Sequence, residues 1–263
     1  MKRNGKEEDR KIFIKKAKLA NMASLTKKEE KLIVSLQQKK FRKTVGLFFV
    51  EGDKMVREAI LYNFTVKFVV SVADFESDGV EVRLCDERAM QRISAFKTAP
   101  GILAVIEIPK QGTVTDSPIT LMVEKVQDPG NLGTIIRTAD AFGVKTMICS
   151  FDCVDHFSPK VVQATMGSIF RINIVVQDLF KYVEELSKST TIYAAHLSGE
   201  NLYEAKITAP CVLVVGNESQ GMSNELTAKV TEKLKIPMSG DAESFNVSIA
   251  TAIMLGEFRR QLG

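Results

Sequence analysis

LVVGNESQGMSNEL at 213–226 and IPMSGDAESFNVSIATAIMLGEF at 236–258 decide how this chain is read. In both, apolar strand sequence runs straight into glycines and small polar side chains. Leu213, Val214 and Val215 form an unbroken apolar run, as expected of a strand buried on both faces, and Gly216-Asn217-Glu218-Ser219-Gln220-Gly221 follows at once. Glycines at both ends of that loop let backbone approach a ligand closely. Ile236-Pro237-Met238-Ser239-Gly240 leaves a second strand. Ser244-Phe245-Asn246-Val247-Ser248 then opens a helix whose expected apolar stripe runs through Ile249, Ala252, Ile253 and Leu255. The free amides of such a helix start are suited to polar ligand atoms.

A third segment upstream repeats this grammar. Leu121 to Val126 reads as a strand, and Gln127 to Gly133 as a turn cluster built on Pro129, Gly130 and Gly133. Thr134 to Phe142 reads as a helix, apolar at Ile135, Ile136, Ala139 and Phe142 and stopped by Gly143, with Arg137 projecting from its first turns. Strand and helix patterns alternate from 119 to the end: Met147–Cys149, Pro159–Thr165, Ile172–Val175, Leu179–Leu186, Ile192–Ala195 and Val212–Val215. Such alternation predicts an α/β fold, a mainly parallel sheet with helices on both faces and ligands beyond the carboxyl ends of its strands. Threaded chains are so rare that topology alone leads to an ordinary doubly wound fold.

DPGNLGTIIRTADAFG at 128–143, GNESQGMS at 216–223 and IPMSGDAESFNVSIATAIMLGEF at 236–258 together resemble the three motifs of the SpoU (TrmH) family, RNA ribose 2'-O-methyltransferases of the SPOUT superfamily. The resemblance covers roughly the last 145 residues. KKFRKTVGLFFVEGDKMVREAI at 39–60 also resembles the smaller α/β substrate-binding domain found before many such enzymes. The resemblance implies a C-terminal trefoil knot, S-adenosylmethionine as cofactor, and a homodimer through the C-terminal domain with each acceptor site completed by the partner. It also implies that Gly216, Ile236, Met238, Phe245 and Asn246 surround the cofactor, Phe245 standing where the family most often has leucine. Asn131 and Arg137 match the first motif, Glu218 the second, Asn246 and Ser248 the third, and these five are the candidate catalytic residues. The family's arginine has been assigned as general base. A guanidinium holds its proton tightly, so the expected role of Arg137 is to bind phosphate or stabilise a developing alkoxide, with a general-base role as the alternative where a neighbouring phosphate or partner arranges the proton path. Asn246 and Ser248 read equally well as helix caps, and Glu218 as an acceptor of loop amides.

Composition bounds these readings. A chain of 263 residues, 45% hydrophobic and 26% charged, has the profile of a globular protein of one large domain or two ordinary ones. No apolar run approaches the roughly 20 residues of a bilayer span, and the charged start of the chain lacks a signal-peptide core, so a cytoplasmic location is expected. Cys85, Cys149, Cys153 and Cys211 are few and scattered, which predicts reduced, packed thiols and no metal site. His156 and His196, the only histidines, stand in no nucleophile-and-base arrangement, and neither GxxxxGK[ST] nor GxGxxG occurs.

The net charge is only +4, yet Lys15, Lys16, Lys18, Lys27, Lys28, Lys31, Lys39, Lys40, Arg42 and Lys43 crowd the first part of the chain. Such clustering suits a polyanion, here RNA. Residues 1–24 read as a basic extension, 25–109 as an RNA substrate-binding domain, 110–118 as a Pro- and Gly-containing linker, and 119–263 as the methyltransferase domain. Within 25–109, Thr26 and Glu29 form a capping box ahead of Leu32, Ile33 and Leu36. The expected substrate is large-subunit (23S) ribosomal RNA. Transfer RNA is the alternative, and a catalytically silent RNA-binding protein of the same fold is the reading from a different class.

Overall fold

The computed structural model describes residues 22–76, 79–115, 117–217 and 220–263. Most of the basic extension, with Lys15, Lys16 and Lys18, lies outside the described residues, as does Glu218. The chain divides into two compact units, Met1–Pro109 and Lys110–Gly263.

In the first unit the order is β1 (Met22–Ser24), α1 (Lys27–Ser35), α2 (Lys39–Val45), β2 (Leu47–Glu51), α3 (Asp53–Leu61), β3 (Val66–Ser71), β4 (Val82–Leu84), α4 (Glu87–Ile93) and β5 (Ile102–Glu107). The sheet runs β1-β4-β3-β5-β2, with β5 antiparallel to both neighbours. Met22 to Ser24 pair in parallel with β4, so the expected extension to residue 24 gives way to an edge strand over its last three residues. The capping box forms as expected: the Thr26 hydroxyl accepts from Glu29 N, and the Glu29 carboxylate accepts from Thr26 N at 2.9 Å. The helix it starts buries Ile33 and Leu36 against Phe49, Val70, Met90 and Leu103. Arg42 is a correction. It is 2% exposed and its Nη1 donates to the Leu36 carbonyl at 2.7 Å, so it ties two helices together instead of joining the exposed Lys39, Lys40 and Lys43.

The second unit contains β6 (Ile119–Val123), α5 (Pro129–Ala141), β7 (Thr146–Cys149), α6 (Pro159–Thr165), a 3-10 turn (Ser168–Phe170), β8 (Asn173–Val176), α7 (Leu179–Glu185), β9 (Thr191–Asn201), β10 (Cys211–Val215), α8 (Asn224–Thr227), β11 (Glu232–Lys235) and α9 (Val247–Leu262). Its sheet runs β11-β9-β10-β6-β7-β8, and every neighbouring pair is parallel. The apolar runs are buried on both sides. Met122, Ile148, Ala194, Val212 and Val214 point to one face and pack with Leu179 and Leu226. Tyr193 lies on the other face and meets Phe258 of α9 edge to face at 5.3 Å, a geometry worth about 0.5–1.5 kcal/mol beyond burial.

Three expectations shift here. Residues 111–115, expected within a linker, lie along the second unit: the Asn173 amide donates to the Thr113 carbonyl at 2.7 Å, and the Thr115 and Thr146 hydroxyls are 2.9 Å apart. The expected turn at 127–133 is mostly helix, because Asp128 accepts from Asn131 N at 2.8 Å as N-cap and Pro129 occupies the first turn. On α9 the buried residues are Val247, Ser248, Thr251, Met254, Leu255, Glu257 and Phe258, while Ile249 is 51% exposed. Of the expected stripe only Leu255 is fully buried.

Candidate active site

In a parallel sheet every strand presents its carboxyl end to the same edge, and the loops that follow β6, β10 and β11 meet there. They are tied together by polar bonds. The buried Glu124, just after β6, accepts from Ser223 N at 2.8 Å. The Asn217 amide, just after β10, donates to the Lys125 carbonyl at 2.9 Å, and Asn217 and Gly221 exchange backbone bonds of 2.9 and 3.0 Å. Gly216 permits this closure, since a Cβ there would lie 2.5 Å from the Gly221 carbonyl carbon.

The third loop closes the arrangement. Asn246 caps α9: its Oδ1 accepts from Ser248 N at 2.9 Å and from Ser248 Oγ at 2.7 Å. With its oxygen so engaged, the amide turns its Nδ2 outward and donates to Asn131 Oδ1 at 2.9 Å. Residues 115 positions apart in the chain thus form one hydrogen-bonded line, Ser248 to Asn246 to Asn131. One side chain therefore both caps α9 and ties it to α5. Arg137 is exposed and makes no hydrogen bond or ion pair among the described residues. Six residues of α-helix set it about 9 Å along the axis and roughly 120° around from Asn131, so the two side chains leave α5 on different faces.

Beside this line lies a cavity of about 460 Å³, walled by Gly216, Ile236, Met238 and Phe245 among others. Four of the five expected cofactor residues are there. Asn246 is not on the wall, although its neighbours Phe245 and Val247 are. The volume falls in the roughly 300–1,000 Å³ range of small-molecule sites, and a wall of mixed character, with Ile236, Met238 and Phe245 beside loop backbone at Gly216 and Gly221, suits a nucleoside: apolar faces for a ring, polar groups for its edge. His196, Asn217 and Lys235 also line it and were not among the sequence candidates. Asn217 was legible in principle, as a polar residue just past a buried strand. The position of His196 depends on a break in strand pairing that no local pattern announces.

Among the described residues no helix is long and apolar enough to cross a membrane, and no group of three or more His, Cys, Asp or Glu stands together as a metal site. The four cysteines are free thiols.

Residues 118–256 match the SpoU rRNA methylase family and residues 27–104 match the MRM3-like substrate binding domain. The chain is 33% identical over 231 residues to the 23S rRNA (guanosine(2553)-2'-O)-methyltransferase RlmP of Bacillus subtilis strain 168, covering 85% of this chain and 93% of that one. An rRNA methyltransferase from Sinorhizobium meliloti, solved with AdoMet bound, superposes with a TM-score of 0.82 at 32% identity, over 92% of this chain and 99% of that one. A Porphyromonas gingivalis protein assigned to the TrmH family of RNA methyltransferases superposes with a TM-score of 0.83 at 36% identity, over 90% of this chain and 99% of that one. Three loops bound together at the carboxyl edge of a parallel sheet, and a family match spanning more than half the chain, lead to one assignment: this protein belongs to the SpoU rRNA methylase family.

Proposed function

We propose that this protein transfers a methyl group from S-adenosylmethionine to a ribose 2'-hydroxyl of 23S ribosomal RNA. The observation that carries the reading is the Asn131–Asn246–Ser248 line beside a nucleoside-sized cavity. The likeness to a B. subtilis 23S rRNA enzyme over both units supports ribosomal RNA, and a guanosine, as the acceptor. The AdoMet-bound S. meliloti protein supports the cofactor.

Bound in the cavity, S-adenosylmethionine supplies a methyl group on a sulfonium centre. Gly216, Ile236, Met238 and Phe245, which line the cavity, would hold the adenosine portion through backbone polar groups and apolar walls. Asn131 and Asn246 would orient the ribose, and such positioning of acceptor against donor is the larger part of the rate gain. Arg137, exposed and still bearing all its donors, would bind the RNA phosphate or the negative charge that develops on the 2'-oxygen as its proton passes to solvent water.

The acceptor site is completed by a second copy of the chain. Two features support the homodimer: Arg137 and Asn131 leave α5 on different faces, and Ile249 stands exposed on α9 with Ala252 and Ile253 only half-buried. Family membership supports a knotted C-terminal unit. The first unit, with exposed Lys28, Lys31, Lys39, Lys40 and Lys43, binds RNA, and the protein works in the cytoplasm. The test is calorimetric titration with S-adenosylmethionine followed by methyl incorporation into total RNA. Binding together with incorporation is expected. Binding without incorporation into any RNA would favour the silent RNA-binding reading.

A further inference from the structure

β9 does not pair evenly with β11. Glu232 and Lys233 stand opposite Tyr193 and Ala194, but the next partners are Leu234 with Glu200 and Lys235 with Asn201. The stretch from Ala195 to Gly199 therefore leaves the ladder while β11 inserts nothing to match it. Bulges beside clefts re-aim side chains, and this one is built to stay: a Cβ on Gly199 would lie 2.5 Å from Leu234 N, so only glycine lets the excursion close against β11. Ala195, His196 and Leu197, carried on it, line the cavity.

The imidazole of His196 is fixed on one side. Its Nδ1 accepts from Ser198 N at 3.1 Å and lies 2.9 Å from Ser198 Oγ. A backbone N–H only donates, so Nδ1 holds a lone pair and the ring proton sits on Nε2. Protonating Nδ1 would set its hydrogen against the Ser198 N–H and leave only the Ser198 hydroxyl to accept it. Partial burial and then the positive charge of Lys233 on β11 bring the ring below the ordinary histidine range. The other charged groups on the cavity wall among the described residues are Lys235 and Glu243, while β10 and α9 face the cavity with apolar Val215, Val247, Ala250 and Met254.

We propose that His196 is a specificity-determining residue of the methyl-donor pocket: kept neutral, it donates Nε2–H to a polar atom of bound S-adenosylmethionine and admits the sulfonium because it carries no charge of its own. The inference rests on the cofactor reading given above. Protonation of His196 places a cation in a pocket that must receive one, so donor affinity falls in mild acid. S-adenosylhomocysteine, which lacks the sulfonium charge, is less affected.

The test is calorimetric affinity for S-adenosylmethionine and S-adenosylhomocysteine between pH 7 and pH 5, in wild type and His196→Gln, which keeps a donor and cannot titrate. The wild type should lose about fivefold or more of its S-adenosylmethionine affinity over that range, and the variant less than about twofold. In the wild-type protein, imidazole NMR with His156 as internal reference gives a readout independent of the variant's folding. Saturating S-adenosylmethionine should lower the apparent pKa of His196 and leave that of His156 unmoved. A His196 titration indifferent to the cofactor, or identical pH profiles in both proteins, overturns the inference and spares the cofactor reading. Failure of wild type to bind S-adenosylmethionine at any pH removes that reading itself and the inference with it.

Discussion

Arg137 carries the sharpest residue-scale consequence. In the proposed function its guanidinium serves the acceptor, and it stands off the wall of the cavity, so Arg137→Ala should abolish methyl transfer while leaving S-adenosylmethionine affinity within about tenfold, roughly 1.4 kcal/mol, by calorimetry. A fully active variant would remove Arg137 from the site. Glu257 on α9 gives a test of stability. Hydrogen bonds from Arg260 and then Gln261 hold its carboxyl down to about 2. A depressed folded-state pKa stabilises the protein above the unfolded value near 4.5, and the gain disappears as pH falls from there towards 2. Urea unfolding across that window should be steeper in pH for the wild type than for Glu257→Gln; parallel curves would contradict the pairing. Residue identity makes Asn131, Asn246 and Ser248 legible, because motif spacing survives without coordinates. It does not show that Asn246 caps the helix with its oxygen and reaches Asn131 with its nitrogen, since an amide's two ends are one letter in a sequence. Arg42 misleads for a related reason: a charge in a basic run is assigned to solvent until a buried carbonyl stands beside it.

At the scale of elements, α5 and α6 approach closely at Gly133. A Cβ there would lie 2.4 Å from the Ala164 Cβ and 2.9 Å from the Val161 carbonyl oxygen. Gly133→Ala should push the helices apart and cost about 1–3 kcal/mol, seen as a lower urea midpoint at unchanged slope. An unchanged midpoint would mean that the two helices adjust freely. Strand positions are legible because buried parallel strands write continuous apolar runs, as Leu213 to Val215 do. The start of α5 is not, since Pro129, Gly130 and Asn131 spell a turn as readily as a first helical turn and only the Asp128 cap decides between them. The phase of α9 misleads because Thr251 and Ser248 are buried while Ile249 is exposed, so polarity there does not follow burial. The β9 excursion depends on its neighbour strand and leaves no local signature beyond Gly199.

At the scale of the molecule, the proposed function puts methyl transfer in the second unit and additional RNA contacts on the lysines of the first. Lys39, Lys40 and Lys43 stand exposed in the first unit. Reversing all three to glutamate should weaken 23S rRNA binding and flatten the dependence of log affinity on log salt by up to about 0.7–0.9 for each phosphate that is no longer neutralised. Cofactor affinity, measured in parallel, should not move; an unchanged salt slope would take these lysines off the RNA. The central claim is tested most directly by the position of the methyl group. Purified protein is incubated with 23S rRNA from a strain lacking it and with methyl-labelled S-adenosylmethionine, and the RNA is then hydrolysed in alkali. Ribose 2'-O-methylation predicts label in a single alkali-resistant dinucleotide. Label released with mononucleotides as a methylated base, or no label in 23S rRNA at all, would contradict the account.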